Sequence, residues 1–446
     1  MARMDGTYAR MARSIFLALC IILCVLYVSA VGQTLRVYHI DVEQGAATLF
    51  ISPSGKSLLV DCGKTGHGTR VKNIMQQAGI TGIDFFVDTH YHEDHFGGVP
   101  SLVDAATTVG TAYDRGDKDF LPSTKLNEDA YKQYQALLGQ NARHLMRGET
   151  IPLDPNMAVT CIASGGVVLG EVNPVPGVNE NDMSIALLIQ YGAFRYFIGG
   201  DIANTTEKKI AEGHLVTDVD VYVTDHHGAE TSSLPAFMQD LRPSVIIISN
   251  GNNGTYHHPR QMTLDYFASM NPKPLVFQTN KYLKGPPGGN VADDFIADLK
   301  STGTDGTIAM VVDLATGKYG VTYGDKSHTI PIKAWSAPTP QLVIKSLLPD
   351  PVGDDRQLEE VTLQNKGTSP IPMGNWYLQD KSARVWSLAT MGTINPNQSA
   401  TIRRNGMPMS LDNSGDEIYL YDPSHHLIDQ FRYSGSQEGV VIVTGH

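Results

Sequence analysis

The chain has 446 residues, enough for two or three domains, of which 41% are hydrophobic and 18% are charged. This composition is typical of a globular protein and excludes an intrinsically disordered chain. The formal net charge is −12, whereas proteins that bind long nucleic acids over their whole surface are usually basic. The charge therefore argues against broad, non-specific DNA binding, but it is compatible with a local phosphate site held by metal ions.

The N-terminal segment has the pattern of an export signal. Arg10 and Arg13 precede the apolar run 15–28, and the small residues Ala30 and Gly32 follow it. This pattern predicts a signal peptide over residues 1–32. Since the apolar run is long for a signal, an uncleaved membrane anchor is the alternative, and only then would the protein contact a membrane. With either outcome we expect the body of the chain to be exported, to the periplasm, the cell surface or the medium.

The chain has four cysteines. Cys20 and Cys24 lie in the N-terminal segment and would be lost with it. An oxidising compartment permits a disulfide between the other two, Cys62 and Cys161. Two separate buried thiols are the alternative, and the sequence does not decide between them.

The densest group of metal-ligand side chains follows a short apolar stretch. Residues 83–87 form an apolar run typical of a buried strand, and His90, His92, Asp94 and His95 come shortly after it. Imidazole and carboxylate together suit zinc or a similar first-row metal. A rigid strand end can aim such side chains at one point. The stretch therefore predicts a metal site at the end of a strand.

The same arrangement recurs along the chain. Asp61, Asp201 and His226 each stand at or just beyond the end of a predicted apolar strand. We therefore expect several strand ends to converge on one site at the edge of a sheet.

Three further regions have patterns of their own. The polar stretch 114–138 carries scattered aromatic residues and is either a lid over the site or a surface helix pair. The stretch 330–341, which contains three prolines, predicts a linker. From Leu342 onward, short strands alternate with turn signals and no helix is predicted, which indicates a small β-sandwich.

Several motifs in a fixed order carry a resemblance to a known family. They are the turn 41–45, the strand end 59–61, the HxHxDH set beginning at His90, the loop 181–184, Gly200–Asp201, the turn 226–228 and the Tyr-His-His-Pro run ending at Pro259. Over residues 35–323 they resemble the metallo-β-lactamase family, and most closely the branch found in the DNA-uptake protein ComEC. The resemblance implies an α/β fold, the αββα four-layer sandwich, which we assign to residues 33–329.

The resemblance also implies a hydrolase that uses two divalent metal ions. His90 and His92 would hold one ion, and Asp94 and His95 would hold the other. Asp201 would bridge both ions, since a carboxylate has two oxygens. Such an ion pair activates a shared water and clamps the oxygens of a phosphodiester.

The roles of the remaining site residues are open at this point. Either His226 or His227 would complete the second metal site, and the other would contact substrate. Asp61 would support a ligand from behind. His258 would act in catalysis together with Asp94, by protonating the leaving group or binding phosphate; a structural histidine before a proline is the alternative.

The chain departs from the wider family in one loop. Many members supply another histidine to the first metal near residue 180, whereas this chain has Asn181, Asp182, Met183 and Ser184 there. The ComEC-like branch shares this departure. We expect Asn181 and Ser184 to support ligands or contact substrate instead. The first ion would then have fewer protein ligands, so manganese is an alternative to the expected zinc.

The second region, residues 342–446, resembles the lamin-tail domain, an all-β immunoglobulin-like sandwich. The resemblance is carried by residues 360–367, 374–378, 394–396 and 413–416. It implies a domain that binds or positions, in contact with a cell surface or DNA; an inert stabilising module is the alternative. Trp376 and Trp386 are expected in its core.

Taken together, these observations predict an exported, metal-dependent phosphodiesterase or nuclease. One rival hypothesis is hydrolysis of another ester or amide, such as a phosphorylcholine ester, a lactone or a β-lactam. The other is a surface-binding protein whose metal site is vestigial. The nearly complete ligand set argues against this last alternative.

Overall fold

The computed structural model describes residues 34–116, 124–171, 173–176, 178–303, 306–333, 342–367, 370–423 and 427–445. The expected export segment 1–32 lies outside the described residues. Most of the expected linker also lies outside them. Within the described ranges, no helix combines the length and the apolarity needed to cross a membrane.

The first domain is built on short strands. They are β1 Thr34–His39, β2 Thr48–Ile51, β3 Ser57–Val60, β4 Ile83–Val87, β5 Val109–Asp114, β6 Arg143–His144, β7 Met157–Ser164, β8 Val167–Val168, β9 Ala186–Tyr191, β10 Phe194–Ile198, β11 Val221–Val223, β12 Val245–Ile248, β13 Leu275–Asn280, β14 Ile296–Asp298, β15 Ile308–Asp313, β16 Lys318–Tyr323 and β17 Lys326–Pro331. Strand β17 continues past residue 329, where the linker was expected to begin.

These strands form two sheets in the described part of the chain. The first has the order β17-β16-β15-β1-β2-β3-β4-β5-β6, and the second has the order β14-β13-β12-β11-β10-β9-β7-β8. Strands β3 to β6 run parallel, as do strands β10 to β14. Such strands are buried on both faces, which explains why they are continuous apolar runs rather than alternating ones. Their carboxyl ends share an edge, since Val60 lies opposite Val87 and Ile198 opposite Val223.

Helices cover the outer faces of both sheets. They are α1 Gly68–Ala78, α2 Glu93–Phe96, α3 Val99–Leu102, α4 Lys125–Leu137, α5 Asn204–Glu212, α6 Pro235–Leu241 and α7 Gln261–Ser269. One apolar core lies between the sheets. A second lies between the first sheet and its helices, and a third lies between the second sheet and its helices. The first domain is therefore the αββα sandwich that the motif resemblance implies.

The two remaining cysteines are buried thiols. Cys62 packs under the helices of the first sheet, Cys161 lies in the core between the sheets, and both are free. The alternative of a disulfide between them is not realised in the structure.

Within its described residues the second domain is all-β apart from two helical turns, the α-helical turn Asp355–Leu358 and the 3-10 turn Ala389–Met391. Its strands are β18 Leu342–Leu348, β19 Glu360–Asn365, β20 Ile371–Pro372, β21 Tyr377–Asp380, β22 Val385–Ser387, β23 Thr393–Ile394, β24 Ser399–Arg403, β25 Asp416–Tyr421, β26 Leu427–Tyr433 and β27 Ile442–Val443. They form the sheets β24-β19-β18-β27 and β22-β21-β25-β26 with the small pair β20-β23. The antiparallel sheets enclose one apolar core, as expected for an immunoglobulin-like sandwich.

Three details of the second domain bear on the expectations. Trp386 is fully buried in the core, whereas Trp376 is half-buried at its edge. The helical turn α8, Asp355–Leu358, was not predicted from the sequence. It begins where the side chain of Asp354 accepts a hydrogen bond from the amide of Arg356, a local cap that leaves little trace in hydrophobic periodicity.

Candidate metal centre

The expected ligands meet where the parallel strands end. His90 and His92 follow β4, while Asp94 and His95 lie on the short helix α2. The chain brings together His90, His95 and Asp201 as one group of potential ligand atoms. Asp94, His95 and His227 form a second group that shares His95 with the first.

Asp201 belongs to the first group and also lies close to His227 of the second. Its Oδ1 atom is 3.2 Å from His95 Nε2 and 3.7 Å from His227 Nε2. Its Oδ2 atom is 3.8 Å from His90 Nε2 and 3.9 Å from His226 Nε2. The two oxygens of one carboxylate therefore face two different pairs of imidazoles, which is the arrangement a bridging ligand requires.

The structure distinguishes His226 from His227. His227 Nε2 lies 3.5 Å from Asp94 Oδ2, and the His227 side chain is only 4% exposed. His226 stands outside both ligand groups, is 23% exposed and approaches Asn181 Nδ2 at 3.4 Å. Both residues have left-handed backbone, with φ of 50° and 57°, in the turn after β11. His227 is therefore the better candidate for the second metal site, and His226 faces the cleft.

His92 also stands outside the two groups, although it contacts one of their members. Its Nδ1 atom lies 3.0 Å from His90 Nε2. His92 would therefore join His90 in holding an ion on the His90 side of Asp201.

The unpaired polar atoms of the site fit a metal. Among the described residues, the buried atoms His95 Nε2, His227 Nε2 and Asp201 Oδ1 have no hydrogen-bond partner. A buried polar atom without a partner costs roughly 1–3 kcal/mol. Imidazole nitrogen and carboxylate oxygen are the donors that zinc takes in proteins, and manganese accepts the same set. The residues present therefore fit divalent metal ions.

Partners behind the ligands orient them. Asp61 Oδ2 accepts a hydrogen bond from His95 Nδ1 at 2.8 Å, and Asp61 Oδ1 accepts one from the Thr89 amide at 2.9 Å. The backbone carbonyl of Ser249 accepts from His227 Nδ1 at 2.9 Å. In both histidines the contact occupies Nδ1 and leaves Nε2 directed inward for a metal. Asp61 thus supports a ligand from behind, as its place at the end of β3 suggested.

The loop at residue 180 also takes part. Ser184 Oγ accepts a hydrogen bond from the Asp201 amide at 3.1 Å, so it holds the turn that carries the bridging carboxylate. Asn181 contacts His226 rather than either ligand group. The two residues thus lie beside the site in the supporting positions expected for them.

Charges inside the site are strongly coupled. Although burial opposes its protonation, the carboxylates of Asp201 and Asp61 raise the pKa of His95 well above its ordinary value. Although burial disfavours its charge, the surrounding imidazoles, His95 first, hold the pKa of Asp201 well below its ordinary value. Burial, followed by repulsion from His227 and His226, lowers the pKa of His258 to about 3. His258 is thus a neutral imidazole at neutral pH.

One contact that holds the ligand loop has no motif in the sequence. Glu180 Oε1 accepts hydrogen bonds from the Tyr91 amide at 2.7 Å and from Arg115 Nε at 2.9 Å. The Arg115 guanidinium lies 4.4 Å from the centre of the Tyr91 ring. Tyr91 stands between His90 and His92, so this contact fixes the backbone between two ligands.

The polar stretch 114–138 shows no helix pair in its described residues, 114–116 and 124–138. Its described part contains the single helix α4, whose buried Tyr134 packs against Tyr91 and Phe96 beside the ligands. Asn127 Oδ1 accepts a hydrogen bond from the Glu93 amide at 3.0 Å, at the start of the ligand helix α2. Helix α4 is therefore part of the wall that positions Asp94 and His95.

The ligands open into a cleft of about 570 Å³. Its floor is formed by His92, Asp94, Asp201, His226, His227 and His258. Lys64, Arg260, Tyr256 and Leu126 line the cleft as well. Of these four, only Tyr256 belongs to a motif of the sequence, the Tyr-His-His-Pro run ending at Pro259.

Comparison with known proteins agrees with this architecture. Residues 40–234 match the metallo-beta-lactamase superfamily, and residues 336–435 match the Lamin Tail Domain. The chain is 25% identical over 186 residues, 42% of its length, to ComE operon protein 3 of Bacillus subtilis. It is 25% identical over 237 residues, 52% of its length, to Recombination protein 2 of Haemophilus influenzae.

A shorter match links the chain to a third protein. Over 70 residues, 16% of the chain and 20% of its relative, it is 39% identical to Ribonuclease Z of Alkaliphilus oremlandii. The matches cover only 22% of ComE operon protein 3 and 26% of Recombination protein 2. The chain thus contains a metallo-β-lactamase domain, similar to parts of ComE operon protein 3 and Recombination protein 2, and a C-terminal lamin-tail domain.

Proposed function

We propose that this protein is a metal-dependent hydrolase, an exported phosphodiesterase that uses two divalent metal ions, zinc or manganese, and acts on nucleic acid. The observation that supports it best is the place of Asp201, whose two oxygens face separate groups of imidazoles. The similarity to Ribonuclease Z and to the two larger relatives supports a phosphodiester substrate.

Bound ions would supply an activated water and neutralise the charge on the phosphoryl oxygens. The residues of the chain provide the geometry for that chemistry. Asp201 and Asp94 hold their carboxylates in the floor of the cleft, and Asp61 keeps the His95 ring in one orientation. In the reaction, water adds to phosphorus, the P–O bond to the leaving alcohol breaks, and the alcohol takes up a proton.

His258 contributes in this proposal as a neutral group. Its ring lies 5.1 Å from the ring of His226, between centroids, and it lines the cleft. Because burial and the neighbouring imidazoles lower its pKa to about 3, it is not an imidazolium acid at neutral pH and keeps a single N–H. We therefore assign it an N–H hydrogen bond to the phosphate rather than protonation of the leaving group.

The place of action rests on the sequence of residues 1–32 alone. Export to the periplasm, the cell surface or the medium would let the second domain hold the enzyme against a cell surface or against DNA. Fractionation of cells that produce the full chain, with detection of the hydrolase domain in each fraction, tests this part. Recovery from the cytoplasm alone, with residues 1–32 still attached, would contradict export.

One assay separates the proposed activity from its rivals. The chain from Gln33 onward is loaded with zinc or manganese and given bis-p-nitrophenyl phosphate, single-stranded DNA and nitrocefin. We expect metal-dependent hydrolysis of the first two. Hydrolysis of nitrocefin alone would overturn the phosphodiesterase proposal, and metal binding without any hydrolysis would favour another ester or amide, or a site kept only for binding.

A further inference from the structure

Two exposed apolar side chains line the cleft beside the metal ligands. Tyr256 and Leu126 are each 55% exposed. The Tyr256 ring lies 6.0 Å from the ring of His258, between centroids, and is inclined to it by 33°. Its hydroxyl donates to no acceptor within the part of the chain that the structure describes. Tyr256 thus presents an unoccupied aromatic face next to the floor of the site.

One of the two cationic side chains that line the cleft has no ion-pair partner among the described residues. The Arg260 guanidinium is paired with Glu230, at 2.6 Å between Nε and Oε2. Lys64 lines the same cleft and forms no ion pair with the described residues. Lys64 is therefore available to an anionic group of a substrate, in a chain whose net charge is −12.

The dimensions and charges limit the substrate. A cleft of about 570 Å³ is the size of a site for a small molecule, not for a duplex. The acidic chain as a whole would repel a long polyanion, whereas Lys64 attracts a single phosphate. A flat, apolar group is the natural partner of Tyr256, since every base has a face that stacks on an aromatic ring.

We propose that the cleft takes a short, single-stranded phosphodiester, with a nucleobase next to the scissile phosphate stacked on Tyr256 and the phosphate facing Lys64. This inference rests on the proposed phosphodiesterase function. It disfavours a choline ester, because the unpaired Lys64 would repel a quaternary ammonium at the same place.

The test uses three substrates that release the same p-nitrophenolate. They are the p-nitrophenyl ester of thymidylate, methyl p-nitrophenyl phosphate and p-nitrophenylphosphorylcholine. With a common leaving group, differences in kcat/KM report the other substituent. We expect the thymidylate ester to exceed the other two by about tenfold, the order of one stacked base. Preference for the choline ester would overturn the inference.

Variants of Tyr256 test whether this residue causes the preference for the thymidylate ester. Tyr256→Ala should lower kcat/KM for the thymidylate ester roughly tenfold more than kcat/KM for the methyl ester, whereas Tyr256→Phe should keep the preference. Met262→Ala is the control, since Met262 is 65% exposed and does not line the cleft. Equal losses on all three substrates in Tyr256→Ala would place the ring against the leaving group and contradict the assignment.

A second matched pair lies on one helix. Leu126 and Leu137 both belong to α4 and are both exposed, but only Leu126 lines the cleft. We expect Leu126→Ala to raise KM for the thymidylate ester, and Leu137→Ala to leave it unchanged. Equal behaviour of the two variants would count against an apolar subsite here.

The outcome also shows which proposal has failed. If none of the three substrates is hydrolysed although the metals are bound, the phosphodiesterase function itself is wrong. If all three are hydrolysed equally and Tyr256→Ala changes nothing, the phosphodiesterase stands and only the nucleobase subsite is wrong. If duplex DNA were cleaved at the rate of short single strands, the proposed preference for a single-stranded substrate would be contradicted.

Discussion

The two domains differ in how many of their buried side-chain polar atoms lack a hydrogen-bond partner among the described residues. Among the described residues of the second domain, Trp386 Nε1 is the only buried side-chain nitrogen or oxygen without a hydrogen-bond partner. In the first domain such atoms gather where the strands end, at His95 Nε2, His227 Nε2 and Asp201 Oδ1. Since each unpaired atom costs roughly 1–3 kcal/mol, a group of them is stable only where a ligand can satisfy it. The comparison favours the first domain as the place of the proposed chemistry.

The largest effect is expected on the free energy of unfolding, from a substitution that destabilises the second domain alone. Trp386 is a fully buried side chain, so Trp386→Ala should destabilise that domain by about 3–5 kcal/mol. Trp376→Ala is the control, because Trp376 is only half-buried and should cost less. Urea unfolding measures the stability of each variant. Hydrolysis of bis-p-nitrophenyl phosphate should be unchanged, and its loss in Trp386→Ala would show that the domains do not separate chemistry from positioning.

Within the first domain, the two adjacent histidines should differ in effect. His227→Ala removes a ring that lies in a ligand group, so activity should fall by more than the roughly 100-fold typical of a residue behind a ligand. His226→Ala should have a smaller effect and should leave the metal content unchanged. Metal analysis and kcat/KM for both variants test this. The reverse order would mean that His226 is the ligand.

A residue behind a ligand should matter less than the ligand itself. Asp61→Asn removes the charge that faces His95 Nδ1 at 2.8 Å, and it should cost roughly 10–100-fold in metal affinity or activity. Asparagine tolerates the left-handed backbone at this position, where φ is 59°. Asp104→Asn, which changes an exposed ion pair on the same domain, is the control. Equal metal affinity in Asp61→Asn and the parent protein would remove Asp61 from the site.

The smallest effect concerns a buried polar group with no role in chemistry. His39 is fully buried against Tyr196 without a hydrogen bond to either ring nitrogen, and burial lowers its pKa from 6.5 to about 3. Between these values the unfolded chain binds a proton that the folded chain does not. Stability should therefore fall as the pH drops below 6.5, by about 1.4 kcal/mol per pH unit from this residue.

The variant His39→Phe isolates that contribution. Phenylalanine can pack on Tyr196 but cannot take up a proton, so the variant should lose less stability than the parent protein between neutral and acidic pH. Urea unfolding of both proteins at several pH values measures the difference. Identical slopes would show that His39 is protonated in the folded chain.

Much of the site could be predicted from the sequence because its signals are local. A run of apolar residues followed by ligand-type side chains is visible at His90, Asp94 and Asp201, and the structure places them together. The choice between His226 and His227 could not be predicted. Both lie in a left-handed turn, so the direction of each ring depends on tertiary contacts such as that of His227 with the Ser249 carbonyl.

Contacts between distant parts of the chain were also beyond prediction. Arg115 and Glu180 are 65 residues apart, and no spacing in the sequence connects them. No spacing in the sequence predicts that Lys64 lines the same cleft as Tyr256, because the two residues reach it from separate loops. In the second domain the strands were predictable from alternation and turn residues, whereas the four-residue helix α8 is too short for a periodic signal.

The central claim is that Asp201 joins two metal ions in one catalytic site. The most direct test is the metal content of the purified protein and of Asp201→Asn, measured by mass spectrometry together with hydrolysis of bis-p-nitrophenyl phosphate. The claim predicts two ions for each parent chain, and fewer ions with loss of hydrolysis in the variant. A parent chain with a single ion, or an Asp201→Asn variant that keeps full activity, would contradict it.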